Sequence, residues 1–82
     1  MRKVCMIYGI GERKSGVGKK SGKKYDFTEI SIGYETEGFS GVKCETVALD
    51  ANIIGDRKLA VGDAIDLVMH QANFKTYVDA IV

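Results

Sequence analysis

Apolar and polar side chains alternate with a period of two along most of this chain, which is the periodicity of strands. The clearest run is Lys24–Tyr34. There Tyr25, Phe27, Glu29 and Ser31 fall on one face, and Asp26, Thr28, Ile30 and Ile32 on the other. Lys3–Ile10 predicts an earlier strand with Val4, Met6, Tyr8 and Ile10 on one side and Cys5 and Ile7 on the other. Both sides are apolar, so this strand is expected to be buried on both faces or to close a barrel. Val42–Asp50 predicts a third strand, with Lys43, Glu45, Val47 and Leu49 opposite Val42, Cys44, Thr46 and Ala48. In Ala64–Gln71, Ile65, Leu67 and Met69 share a face, and Tyr77–Val82 supplies the last strand.

The connections carry the turn residues. Gly11–Lys24 holds Gly11, Gly16, Gly18 and Gly22 and is too long for a tight hairpin, so it predicts an extended wing whose second arm begins at Lys24. Glu35–Gly41 is a turn with Phe39 near its tip. Ala51–Val61 breaks the alternation, with Gly55–Asp56 as a turn signal after a short turn of helix. Ala72–Thr76 is a second tip, carrying Phe74 and Lys75. Five strands with few helical signals predict an all-β chain. Five are too few to cover two sheets, so a small five-stranded OB-type β-barrel with a basic hairpin wing is expected, as one domain over residues 1–82.

Composition adds an uneven charge. The 82-residue chain has a net charge of +1, yet residues 1–24 carry eight basic side chains against Glu12 alone, and residues 25–82 carry four against ten acids. A split of +7 and −6 points to an acidic partner for the first part. The bland alternative is a solvated basic loop balanced by nearby acids. Cys5 and Cys44 match no metal spacing and are too few for a disulfide framework, so both are expected to be buried, reduced thiols of a cytoplasmic protein. Val4–Ile10 is too short and too polar for a signal peptide, and no segment is long enough to span a membrane.

The candidate chemistry sits at the wing. Arg13, Lys14, Lys19, Lys20, Lys23 and Lys24 lead directly into Tyr25 and Phe27, which joins cations for phosphates to rings for bases. Phe74 and Lys75 add a ring and a cation at a second tip. The stretch SGVGKKSG has a phosphate-loop look, but Lys19 stands where that pattern needs glycine, and a strand follows where it needs a helix. His70 has no ligating or nucleophilic neighbour in sequence, and the aspartates are scattered. No catalytic set, metal site or cofactor is expected.

The order SGV, then SGKKYDFTE, then a VGD-led strand and a late aromatic tip resembles the gene V single-stranded DNA-binding proteins of filamentous phages. The best-matching stretch is Ser15–Ile32. The resemblance implies a five-stranded OB-type barrel that forms a homodimer and coats single-stranded DNA during replication of a phage or mobile element. It also implies that Lys19 and Lys20 lie on the binding wing, Tyr25 and Phe27 on or beside the DNA surface, and Phe74 near the dimer two-fold. Ala80 departs from the family, which often has a base there, and Glu35, Glu37 and Glu45 are heavier acid than a DNA-coating surface prefers. The sequence does not separate DNA from RNA. The alternative reading is a protein-interaction module whose basic wing docks on an acidic protein.

Overall fold

The computed structural model describes residues 1–82 and is all-β, with five antiparallel strands in one sheet. β1 is Arg2–Val17, β2 Lys24–Tyr34, β3 Lys43–Asp50, β4 Ala64–Ala72 and β5 Lys75–Ile81; a single helical turn, α1, covers Ala51–Ile54. The sheet order is β3-β2-β1-β4-β5, which places β1 in the middle.

Alternation decides which face is covered. Cys5 and Ile7 from β1, Ile30, Ile32 and Tyr34 from β2, Val47 and Leu49 from β3, Leu67 and Met69 from β4, and Val78 from β5 form one core on the concave side. Ile53 and Ile54 of α1 pack against the same cluster. Asp50 caps the helical turn by accepting from the Asn52 N–H, and the Arg57 guanidinium donates to the carbonyls of Ile53 and Ile54 at the other end. Capping matters here because a four-residue helix has no interior hydrogen bonds to spare.

β1 is longer than the alternation predicts. It continues to Val17 and pairs with β2 along the wing, with Arg13 opposite Thr28 and Val17 opposite Lys24. Between Ile7 and Gly9, and again between Ile10 and Arg13, β1 carries one residue more than β2. Each insertion bends the strand and moves the side chains that follow to the opposite face. Ile10, expected beside Val4, Met6 and Tyr8, is thereby set opposite the buried Ile30. Gly11–Val17, expected as loop, is strand because its residues from Arg13 onward pair with Lys24–Thr28 of β2.

Two other expectations are corrected. Only one face of β1 is buried: Cys5 and Ile7 are fully covered, whereas Val4, Met6 and Tyr8 are exposed because nothing packs on the convex side of the sheet. Cys44 is exposed, since it alternates outward from Lys43 and Glu45 on a strand at the sheet's edge. Cys5 is buried as expected, and burial pushes its thiol pKa up to about 11.

The two ends of the sheet, β3 and β5, approach each other without a backbone ladder. Side chains make the tie instead. Thr76 Oγ1 on β5 donates to Glu45 Oε1 on β3 at 3.0 Å, and the Tyr34 hydroxyl on β2 donates to Glu45 Oε2 at 2.6 Å. Lys43 Nζ lies 3.8 Å from the same carboxylate. Glu45 therefore faces inward at the seam, apart from Glu35 and Glu37 on the turn. Burial, reinforced by the bond to Glu45, holds the Tyr34 hydroxyl pKa well above its ordinary range.

β4 and β5 are joined by a tight turn at Asn73–Phe74, flanked by the pair Ala72 and Lys75. Both turn residues have positive φ, 54° and 61°. That is the geometry of a type I′ turn, in which asparagine followed by glycine is favoured and phenylalanine is strained.

Candidate nucleic-acid interface

The wing is a two-stranded ribbon made of the far halves of β1 and β2. Its connection is pinned by backbone bonds: the Gly18 N–H donates to the Lys23 carbonyl at 2.8 Å, and the Gly22 N–H to the Gly18 carbonyl at 2.9 Å. Gly22 has φ 65°, a conformation glycine adopts without steric cost. This turn presents Lys19, Lys20 and Lys23 to solvent, and Lys24 follows on β2; all four are exposed.

The six wing cations divide into two groups. The Arg13 guanidinium holds Asp26 in a two-point contact, with Nε 2.7 Å from Oδ1 and a second bond to Oδ2. That contact keeps the Asp26 carboxyl below its ordinary pKa and raises that of Arg13. Lys14 Nζ lies 3.8 Å from Glu29. Lys19, Lys20, Lys23 and Lys24 have no carboxylate partner. These four are the charges free to meet phosphates, while Arg13 is held by Asp26 and Lys14 lies near Glu29.

The rings lie on one face of the ribbon. Tyr25 is directly opposite Gly16 and Phe27 opposite Lys14. A Cβ on Gly16 would sit 2.8 Å from the Tyr25 hydroxyl oxygen and 3.0 Å from Cζ, so the missing side chain is what lets this ring lie across the ribbon. Tyr25 is 45% exposed, and Phe27 is partly covered. Their centroids are 6.0 Å apart with the planes tilted by 47°. Beside them, an open depression of about 530 Å³ is lined by Ser15, Val17, Lys24, Tyr25, the α1 cap Asp50 and Asn52 of α1. A flat ring beside unpaired ammonium groups can stack a base while its phosphates are neutralised.

Eight of the ten candidate residues are thus gathered on the wing. Phe74 and Lys75 are not. They sit on the β4–β5 turn, with β1 and β4 lying between β5 and β2 in the sheet. Phe74 is fully exposed. Lys75 Nζ is 5.7 Å from the ring centre of Tyr77, which stacks on His70 at 5.3 Å, and His70 Nδ1 is 2.8 Å from Asp79 Oδ1. His70 is therefore not isolated, as the sequence had implied. The register that pairs it with Tyr77 depends on the two-residue turn, which is shorter than the Ala72–Thr76 tip that the residue pattern suggests.

No group of three or more His, Cys, Asp or Glu side chains is arranged to hold a metal ion. No helix is long and apolar enough to cross a membrane. No protein-family model, curated protein or solved structure matches this chain at a significant level.

Proposed function

We propose that this chain is a non-enzymatic single-stranded DNA-binding protein with little sequence preference, acting as a homodimer in the cytoplasm during replication of a phage or mobile element. The observation that carries this reading is the wing: four unpaired lysines at the end of a hairpin, next to a tyrosine laid flat over Gly16. Phosphates would be met by Lys19, Lys20, Lys23 and Lys24, and a base would stack on Tyr25 with Phe27 as its neighbour. Arg13 and Lys14 would set the shape of the ribbon through Asp26 and Glu29 rather than hold the strand. Phe74 and Lys75 would make a second, separate contact. Rings and phosphates are common to all bases, which is why little sequence preference is expected.

We read the curled sheet as an OB-type barrel whose β3–β5 seam is closed by Glu45, Tyr34 and Thr76 in place of backbone bonds. The test of the binding reading is to titrate the isotopically labelled protein with an unlabelled oligothymidine and follow its amide resonances. Shifts concentrated on residues 14–27 support it. Shifts absent from the wing, or no shifts at all, contradict it. An oligouridine run in parallel reports whether RNA is bound as well.

A further inference from the structure

We propose that Arg57 is a further phosphate contact of the wing site, and that the bound single strand leaves Tyr25 over the α1 turn rather than across β3. This rests on the single-strand reading above and adds to it a direction and a residue that the sequence pattern left unassigned. A strand lying on Tyr25 has two ways off the ribbon. The outward positions of β3 are Cys44, Thr46, Ala48 and Asp50, and none is a cation. On the α1 side the surface is hollowed. The depression of about 530 Å³ beside Tyr25 reaches Ala51, and a second, of about 310 Å³, is lined by Ala51, Ile54, Arg13 and Arg57. Ala51 belongs to both, so the two meet there and form one track from the ring to the guanidinium.

Arg57 is held ready for an anion. Its backbone N–H donates to the Ile54 carbonyl at 3.2 Å, and its Nη1 lies 3.3 and 3.4 Å from the carbonyls of Ile53 and Ile54. The guanidinium is thereby fixed at the end of α1, which removes part of the cost of ordering it on a ligand. It makes no other hydrogen bond and no ion pair, so Nε and Nη2 are left to fork onto a phosphate. The carboxylates along the track are already engaged, Asp26 by Arg13 and Asp50 by the Asn52 N–H. Asp56, next to Arg57 in sequence, lines neither depression. Beyond Arg57 the next depression sets Asp63 and Asp66 beside Lys58 in an otherwise apolar wall, so the phosphate track ends at Arg57.

The test has two arms, both on the full chain. In the first, phenylglyoxal modifies the arginines of the wild type with and without an oligothymidine, and mass spectrometry reads each site. With the strand at about ten times its Kd, occupancy alone slows a covered group about tenfold. That slowing is expected at Arg57 and not at Arg2, which lines neither depression. This arm needs no substitution, so it decides even where a variant folds poorly. In the second arm the salt dependence of oligothymidine binding is compared across variants, because losing one phosphate contact makes the log–log slope shallower by about 0.7. Arg57→Gln, whose amide can still donate to the same carbonyls, should show that loss, and Arg57→Lys should restore the wild-type slope. Lys3→Gln, the same loss of charge away from the track, should leave it unchanged. Equal reactivity of Arg57 with and without the strand overturns the proposal. So does an unchanged slope in Arg57→Gln, a slope that Arg57→Lys fails to restore, or an equal loss in Lys3→Gln. Lys20→Ala, run alongside, separates the two claims: it weakens binding whether or not Arg57 takes part, whereas a wild type that binds no strand overturns the wing reading and this proposal together.

Discussion

The seam between β3 and β5 makes a quantitative prediction. Glu45 accepts from Thr76 and Tyr34 at 3.0 and 2.6 Å, its side chain is only 20% exposed, and Thr76 is 7% exposed. A hydrogen bond to a carboxylate contributes about 1.5–3 kcal/mol. Thr76→Val and Tyr34→Phe each remove one such bond while nearly keeping the shape, so each should cost about 2 kcal/mol. A domain of this size is stable by roughly 4–12 kcal/mol, so that loss is a large fraction of the whole. It should lower the thermal midpoint by roughly 8–16 °C. The double variant should cost more than the sum of the two, by about 0.5 kcal/mol or more, because the carboxylate is then left with Lys43 alone at 3.8 Å. Urea unfolding followed by far-ultraviolet circular dichroism measures all three. Single losses under about 0.5 kcal/mol that simply add would refute the idea that Glu45 ties the sheet ends together.

Further outcomes follow from the same structure. Asp26→Asn frees Arg13 for phosphate, so affinity for a single strand should rise and the log–log salt slope should steepen by about 0.7. In the wild type the Asp26 carboxyl is depressed, so the stability it lends the wing is present above the ordinary aspartate pKa and is lost as pH falls through its lower folded value; wing amide resonances in an acid titration should collapse only below that ordinary value. Phe74→Gly relieves a positive φ and should stabilise the fold by about 1 kcal/mol in thermal melts while weakening oligonucleotide binding; weaker melts would contradict the strain, and unchanged binding the second contact. Alkylation at pH 8 should label exposed Cys44 and spare Cys5 until the chain unfolds. Because the folded Cys5 thiol is raised to about 11, stability should fall as pH climbs from the ordinary thiol pKa toward that value.

The strands that face the core were legible because one clean alternation suffices where a strand has no irregularity. β2 and β3 follow it throughout: Ile30 and Ile32, then Val47 and Leu49, all point inward. β1 was misread twice. Its glycines at 11 and 16 look like loop residues, yet Gly16 makes room for Tyr25 across the ribbon, and Gly11 lies beside the Glu29 backbone next to the second irregularity. Alternation alone carries no sign of an inserted residue, so the change of phase before Ile10 was invisible. Two apolar faces suggest burial on both or closure of a barrel, and the face with Val4, Met6 and Tyr8 is open. The basic and aromatic residues of the wing were readable because they are contiguous in sequence. That Arg13 and Lys14 are already paired was not, because Asp26 and Glu29 become their neighbours only through the hairpin register.

The central claim is that free lysines and a flat tyrosine on the wing hold a single strand. The direct measurement is fluorescence anisotropy of a labelled oligonucleotide of about 20 residues across a salt series, with duplex as competitor, on the wild type and on Lys20→Ala/Tyr25→Ala. Four phosphate contacts at about 0.7 each predict a log–log slope near −3 per protomer. That slope, a preference for the single strand, and loss of most of the affinity in the double variant are the expected result. Absence of binding at low salt, or binding that the double variant retains, would contradict it and turn attention to an acidic protein as the wing's partner.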